Sequence, residues 1–229
     1  MAFTLDKVVP WGRSLVEYQK MFALSEAELG KRILGCGDGP ASFNAELSAR
    51  GGQVVSVDPL YRFTGEEIRQ RIAATYPLVM AQTSENQGEF VWTTIRSVED
   101  LGRRRLAAME AFLADFATGL GQGRYRDGLL PRLPFRAGDF ELALCSHLLF
   151  LYGEQFSEDF HVESIREMCR VAGEARVFPL LELGAQPSRH LPAVSKRLTA
   201  AGYDVNVLPV PYEFQRGGNQ MLRIIKPRP

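Results

Sequence analysis

Three glycines alternate with other residues in Gly35-Cys36-Gly37-Asp38-Gly39, directly after the apolar pair Ile33-Leu34. Glycines so placed let the main chain turn tightly and let a ligand approach the backbone, so Gly35, Cys36 and Gly37 are candidate cofactor contacts. Asp58 stands 21 positions after Gly37, at the end of Val54-Val55-Ser56-Val57 and just before Pro59. A carboxylate there accepts hydrogen bonds from ribose hydroxyls. Further along, Ser146, His147 and Tyr152 follow the apolar run that starts at Phe140. An imidazole changes charge near neutral pH, so His147 is a candidate to orient or deprotonate a substrate, with Tyr152 as its companion. The competing reading of His147 is a hydrogen-bonded packing residue. Arg13, beside Trp11 and Gly12, is a candidate partner for a ligand carboxylate. Glu182, Arg189 and His190 follow a later strand-like segment, while Tyr212 and Arg216 read as turn stabilisers far from any site.

These groups need elements to hold them. Ser14 opens a helix through Met21, and Ser25 with Glu28 forms a capping box for a short second one. Arg32 to Cys36 reads as a strand. Pro40 suits the first turn of a helix through Arg50, where its missing N–H has no intrahelical role. Val54 to Asp58 is a second strand. Strand, glycine turn, helix, strand is a βαβ unit, the smallest piece of a parallel sheet. Thr64 to Asn86 reads as a helix broken near Pro77, and Ser97 to Leu120 as another, with apolar residues at helical spacing. The stretch 61–124 is too long for a plain connection and reads as a helical insertion, a lid over the cofactor cleft. Phe140 to Ser146 is a strand, Ser157 to Arg170 a helix, Ala175 to Leu181 a strand, and Ser188 to Ala201 a helix. Asp204 to Val210 and Gln220 to Lys226 close the chain as strands with no helix between them, hence antiparallel. The expectation is one domain, 1–229, with an N-terminal helical segment, 1–30, before the sheet. The fold class is α/β, a mostly parallel Rossmann-like sheet with an antiparallel last strand.

Composition narrows the function. Lys+Arg and Asp+Glu are both 27 in 229 residues, so the formal net charge is zero. Phosphate contacts supply much of nucleic-acid affinity, and no basic excess is present, so general nucleic-acid binding is not expected. Arg103-Arg104-Arg105 reads as a solvated helix face. No run approaches the length of a membrane span, and the first residues lack the pattern of a secretory signal, so a cytoplasmic protein is expected. Cys36, Cys145 and Cys169 are far apart, and no paired-histidine motif occurs among His147, His161 and His190, which argues against a disulfide framework or a metal site.

The glycine loop's spacing admits a nicotinamide cofactor or S-adenosylmethionine. The dinucleotide fingerprint puts its third glycine at position 40, where this chain has Pro40. Taken together, Ile33 to Pro40, Val54 to Asp58, and Leu133-Pro134-Phe135 leading into Phe140 to Ser146 resemble the class I S-adenosylmethionine-dependent methyltransferases. The resemblance covers roughly 31–58 and 129–225. It implies S-adenosylmethionine as cofactor, held by Gly35, Cys36, Gly37, Asp58, Pro59 and Ser146, and by Arg13 at its carboxylate. It implies methyl transfer to a small molecule, with His147 and Tyr152 facing the acceptor. RNA or protein methylation is the alternative acceptor class, and a non-catalytic cofactor- or partner-binding module is the alternative outside enzymes. Two positions depart from the family. Ile33 stands where an acid often lies near the cofactor ammonium, and Leu129 stands at about the place of an acid that reaches the adenine.

Overall fold

The computed structural model describes residues 3–5 and 8–226. Seven strands form one sheet: β1 (Arg32–Cys36), β2 (Gln53–Val57), β3 (Tyr125–Arg126), β4 (Phe140–Ser146), β5 (Ala172–Phe178), β6 (Asp204–Pro209) and β7 (Gln220–Ile225). Their order is β3-β2-β1-β4-β5-β7-β6. The first five are parallel, and β7 runs antiparallel to both neighbours, β5 and β6. This is the mostly parallel α/β architecture with a reversed closing strand expected above.

Two cores cover the two faces. On one, α1 (Leu15–Met21) and α3 (Phe43–Ala49) bury Leu15, Tyr18, Phe43 and Leu47 against Ile33, Val54 and Leu142. On the other, α6 (Glu158–Val171) and α7 (Leu191–Ala200) bury Val162, Ile165, Met168, Val194 and Leu198 against Leu34, Ala143 and Val177. The central strands are buried on both sides, which is why they read as continuous apolar runs rather than alternating ones. The short α2 (Glu26–Leu29) carries the expected capping box, Ser25 N–H to Glu28 at 3.0 Å and Glu28 N–H back to Ser25 at 3.3 Å.

The stretch between β2 and β3 contains a 3₁₀ turn (Pro59–Arg62), α4 (Gly65–Glu85) and α5 (Val98–Gly121). α5 packs on α3 and β3 as the crossover helix of the sheet. α4 lies beyond it, joined through Ile68, Ile72, Met109, Phe112 and Phe116. After α4, the segment around Phe90 turns back over the sheet. It pairs with the β6–β7 connection through Val91 N–H to Phe214 O at 2.7 Å and Arg216 N–H to Glu89 O at 2.8 Å.

Four expectations are corrected. The helix after the glycine loop starts at Phe43, because Pro40 belongs to the turn and Ser42 is the N-cap residue. α4 runs unbroken through Pro77. Pro77 and Ala73, whose carbonyl the proline ring would crowd, are both exposed, so water can solvate the unmatched carbonyl. β5 begins at Ala172, three residues earlier than its pattern suggested, since α6 passes straight into it, and it ends before Pro179, which has no N–H for a ladder. Arg105 is not on a solvated face. It is 1% exposed, whereas the side chains of Arg103 and Arg104 are 75% and 46% exposed.

Candidate functional site

A cavity of about 340 Å³ opens at the carboxyl ends of β1, β2 and β4, within the size range of small-molecule sites. Ligands of open α/β sheets bind at this edge. Gly37 makes its turn with φ +69°, a conformation that costs glycine little, and its N–H donates to Val57 O at 2.8 Å. This ties the loop to the end of β2.

Asp58 caps the 3₁₀ turn after β2. Its carboxylate accepts Leu60 N–H at 2.7 Å and Gly39 N–H at 2.9 Å. One oxygen is engaged by each, so lone pairs remain on both for a ligand. Burial raises the Asp58 pKa to about 6 against those two bonds, with the neighbouring Asp127 carboxylate adding to the rise. Pro59 follows on the cavity wall, and Tyr61 donates from its hydroxyl to Gly39 O at 2.7 Å.

Asp38, inside the glycine loop, lines the cavity although the loop pattern does not single it out. It is 6% exposed and accepts the Tyr18 hydroxyl at 2.8 Å and the Ser56 hydroxyl at 2.6 Å. A Cβ on Gly35 would lie 1.8 Å from its Oδ2. The glycine therefore leaves room for a carboxylate against β1, on the face that Ile33 also uses. An acid absent from position 33 is thus present from position 38. Similarly, Asp127 follows β3 directly, and Leu129, the position expected to match, is a 55% exposed residue on the cavity rim.

The basic end of the cavity comes from three distant parts of the chain. Arg13 follows the N-terminal segment, held by Ser42 N–H to Arg13 O at 3.0 Å. Its Nη1 donates to Trp11 O at 3.1 Å, while its Nε is buried without a partner. Arg105 of α5 pairs with Glu17 of α1 at 2.7 Å, and Tyr212 donates to the same carboxylate at 3.0 Å. Burial favours a neutral Glu17, yet the Arg105 guanidinium overrides it and pulls the carboxyl to about 2. Burial, then the nearby Arg105 charge, lowers Arg13 to about 10. Glu17 neutralises Arg105, so of these two arginines Arg13 is the one without a carboxylate at hydrogen-bond distance among the described residues. Tyr212 reaches the cavity wall, correcting its assignment to a distant turn. No local pattern links Glu17 with Arg105, 88 positions away.

Ser146 and His147 end β4 on the cavity wall, with Ser146 Oγ 2.9 Å from His147 Nδ1. Burial, with Arg13 and Arg105 assisting, holds the His147 pKa well below its ordinary range, so the ring is neutral at pH 7. Tyr152 is 3% exposed and accepts Val9 N–H at 3.3 Å, joining the N-terminal segment to the cavity. Glu182, Arg189 and His190 do not line the cavity. Glu182 and Arg189 pair at 2.8 Å, and His190 Nε2 lies 2.8 Å from Gly153 O. Arg216 anchors the insertion, donating to Gly88 O and Phe90 O at 3.1 Å each.

No family model matches the chain. Among solved structures it is similar to magnesium protoporphyrin IX methyltransferase from Synechocystis PCC 6803 with bound S-adenosylhomocysteine (10% identity, 92% of this chain and 81% of that one, TM-score 0.49). A putative RNA methyltransferase from Pyrococcus horikoshii is also similar (10% identity, 93% and 85%, TM-score 0.44). Over 221 residues the chain is 30% identical to the uncharacterized protein MJ0045 of Methanocaldococcus jannaschii, covering 96% of this chain and 97% of that protein. It belongs to that protein's family.

Proposed function

We propose that the protein is an S-adenosylmethionine-dependent methyltransferase acting on a small molecule. The observation that carries this reading is one cavity lined by both a carboxylate and a guanidinium with unused bonding capacity. Asp58, with spare lone pairs beside a glycine loop, and Arg13, a half-buried cation whose Nε is buried without a partner, both line it. A ribose diol at the first and an amino-acid carboxylate at the second are the polar groups that such a pair satisfies. Asp38 and Ser146, also on the cavity wall, are the candidates for the ammonium, and Asp127 after β3 is the candidate for the adenine amino group. Cys36, Gly37 and Pro59 supply backbone and apolar wall, while Gly35, which does not line the cavity, makes room for the Asp38 carboxylate.

Bound there, S-adenosylmethionine supplies a methyl group on a positively charged sulfur, an already activated leaving group. The chain's residues then have to orient the acceptor, exclude water and accept a proton. Ser146 Oγ donates to Met21 Sδ and accepts from His147 Nδ1–H, the tautomer in which Nε2 of the neutral ring is free to take a proton from the acceptor. Tyr152 orients the acceptor with the hydroxyl proton that its bond from Val9 leaves free. The N-terminal segment and the turn around Phe90 both supply walls of the cavity, which favours a small acceptor over RNA or protein.

Calorimetry with S-adenosylmethionine, S-adenosylhomocysteine and NADH tests the cofactor. Binding of the first two at roughly micromolar affinity and none of NADH is expected. Binding of NADH alone overturns the reading. A labelled-methyl screen of cell extract fractionated by size then tests the acceptor class. Label in the small-molecule fraction is expected, and label confined to RNA or protein overturns that part.

A further inference from the structure

The cavity extends past the glycine loop into a chamber whose chemistry restricts what enters it. Its walls are Phe3, Leu5, Val79, Phe90, Leu151 and Phe214, brought together from the N-terminal segment, α4, the turn after it, the β4–α6 loop and the β6–β7 connection. Phe90 and Phe214 stack with centroids 4.8 Å apart. An apolar wall of this kind recognises flat, apolar matter and gives a charged substituent nowhere to be solvated.

The polar groups facing the chamber decide the reacting group. Thr83 donates to Val79 O at 2.8 Å, and Glu89 is engaged by Phe3 N–H at 3.1 Å. Gln215 donates to Glu182 O at 2.7 Å. Asp38 has Tyr18 on one oxygen and Ser56 on the other, and its remaining lone pairs are those assigned above to the cofactor ammonium. His147 and Tyr152 remain, with Arg13, Arg105, Glu17 and Tyr212 behind them. Arg13 and Arg105 are the charges that act on the His147 ring, and Glu17 lies at hydrogen-bond distance from Arg105 alone, while the cofactor adds a positive sulfonium at the methyl. An ammonium brought to His147 meets like charge. A hydroxyl whose proton passes by way of His147 to solvent becomes an oxyanion in a field that stabilises it.

We infer that the acceptor is an uncharged, flat, apolar molecule presenting an acidic hydroxyl, a phenol or enol, at His147, and that a protonated amine is rejected. This rests on the methyltransferase reading for the identity of the reaction, but the chamber's preference is measurable without turnover.

Two naphthalenes that differ in the reacting group, 2-naphthol and 2-naphthylmethylammonium, are titrated by fluorescence into the protein, with and without S-adenosylhomocysteine. The phenol is expected to bind more tightly by about tenfold or more in both states. In parallel, 4-hydroxy-3-nitrobiphenyl reports ionisation of a bound phenol by its colour. Its apparent pKa is expected to fall on binding by about one unit. Arg13→Gln, checked for folding by circular dichroism, is expected to reduce that fall. Equal or tighter binding of the ammonium, or a bound phenol whose pKa is unchanged or raised, overturns the inference. Calorimetry with S-adenosylhomocysteine alone is the separate readout for the cofactor. Its failure removes the methyltransferase reading and leaves the chamber's measured preference standing.

Discussion

At the scale of single residues, the site combines buried charges that are compensated and buried charges that are not. Asp58 belongs to the second kind. Burial raises its pKa from an ordinary 3.8 to about 6, so in the free protein its ionised form costs stability as pH rises from the lower value through the higher one. A ligand that hydrogen-bonds the carboxylate prefers the ionised form. Cofactor affinity is therefore expected to weaken as pH falls through about 6, and the thermal shift caused by S-adenosylhomocysteine should be larger at pH 7.5 than at pH 5. Asp58→Asn removes the charge assistance and should cost about 1.5–3 kcal/mol of binding, roughly ten- to a hundredfold in Kd by calorimetry. An Asn variant that binds as well as the parent would exclude Asp58 from the site.

Glu17 is of the first kind. Arg105 is 1% exposed and its guanidinium depends on that one carboxylate. Removing a single partner of a buried pair leaves an uncompensated charge, so Glu17→Ala should destabilise by about 3–5 kcal/mol in urea unfolding. Replacing both, Glu17→Ala with Arg105→Met, should recover most of that loss. A single variant costing less than about 1 kcal/mol would mean that water reaches the pair in solution.

At the scale of elements, the segment between α4 and α5 is held by its contacts rather than by its own structure. Phe90 stacks on Phe214, Trp92 packs on Phe214 with centroids 5.3 Å apart, and Arg216 grips the carbonyls of Gly88 and Phe90. Trp92 thus packs on the β6–β7 connection. Short exposed segments of this kind open locally at little cost. Cleavage between Gln82 and Ser97 by a dilute protease is expected to slow when S-adenosylhomocysteine is bound, because the chamber wall then closes on occupied space. Arg216→Ala should speed it in the free protein. Cleavage indifferent to both would make the segment a plain connection without a covering role.

At the scale of the whole molecule, acidic and basic residues balance, and the arginine run of α5 is partly consumed internally. Arg105 is spent on Glu17, while Arg103 and Arg104 both reach Asp100. No extended basic face is built from it. A gel shift with mixed RNA and DNA at physiological salt should show no complex at about micromolar protein. A salt-sensitive complex in that range would favour RNA as the acceptor instead.

What the amino-acid sequence determined by itself was everything carried by neighbours in the chain. The βαβ order, the glycine loop, Asp58 at the end of β2, the capping boxes and the antiparallel closing strands all follow from short-range pattern, because backbone conformation and face periodicity are local properties. Tertiary structure alone decided which charges meet. Glu17, Arg105 and Tyr212 lie on three elements with no periodic relation, and they converge because α1, α5 and the β6–β7 connection pack around one strand edge. Asp38 was visible in the loop, but its role against β1 depends on the missing Cβ of Gly35 and on hydroxyls from Tyr18 and Ser56. The same holds for Arg105, which an arginine run places on a wet helix face. Its burial is set by the long-range partner that makes desolvating a guanidinium tolerable, and a linear pattern carries no record of that partner.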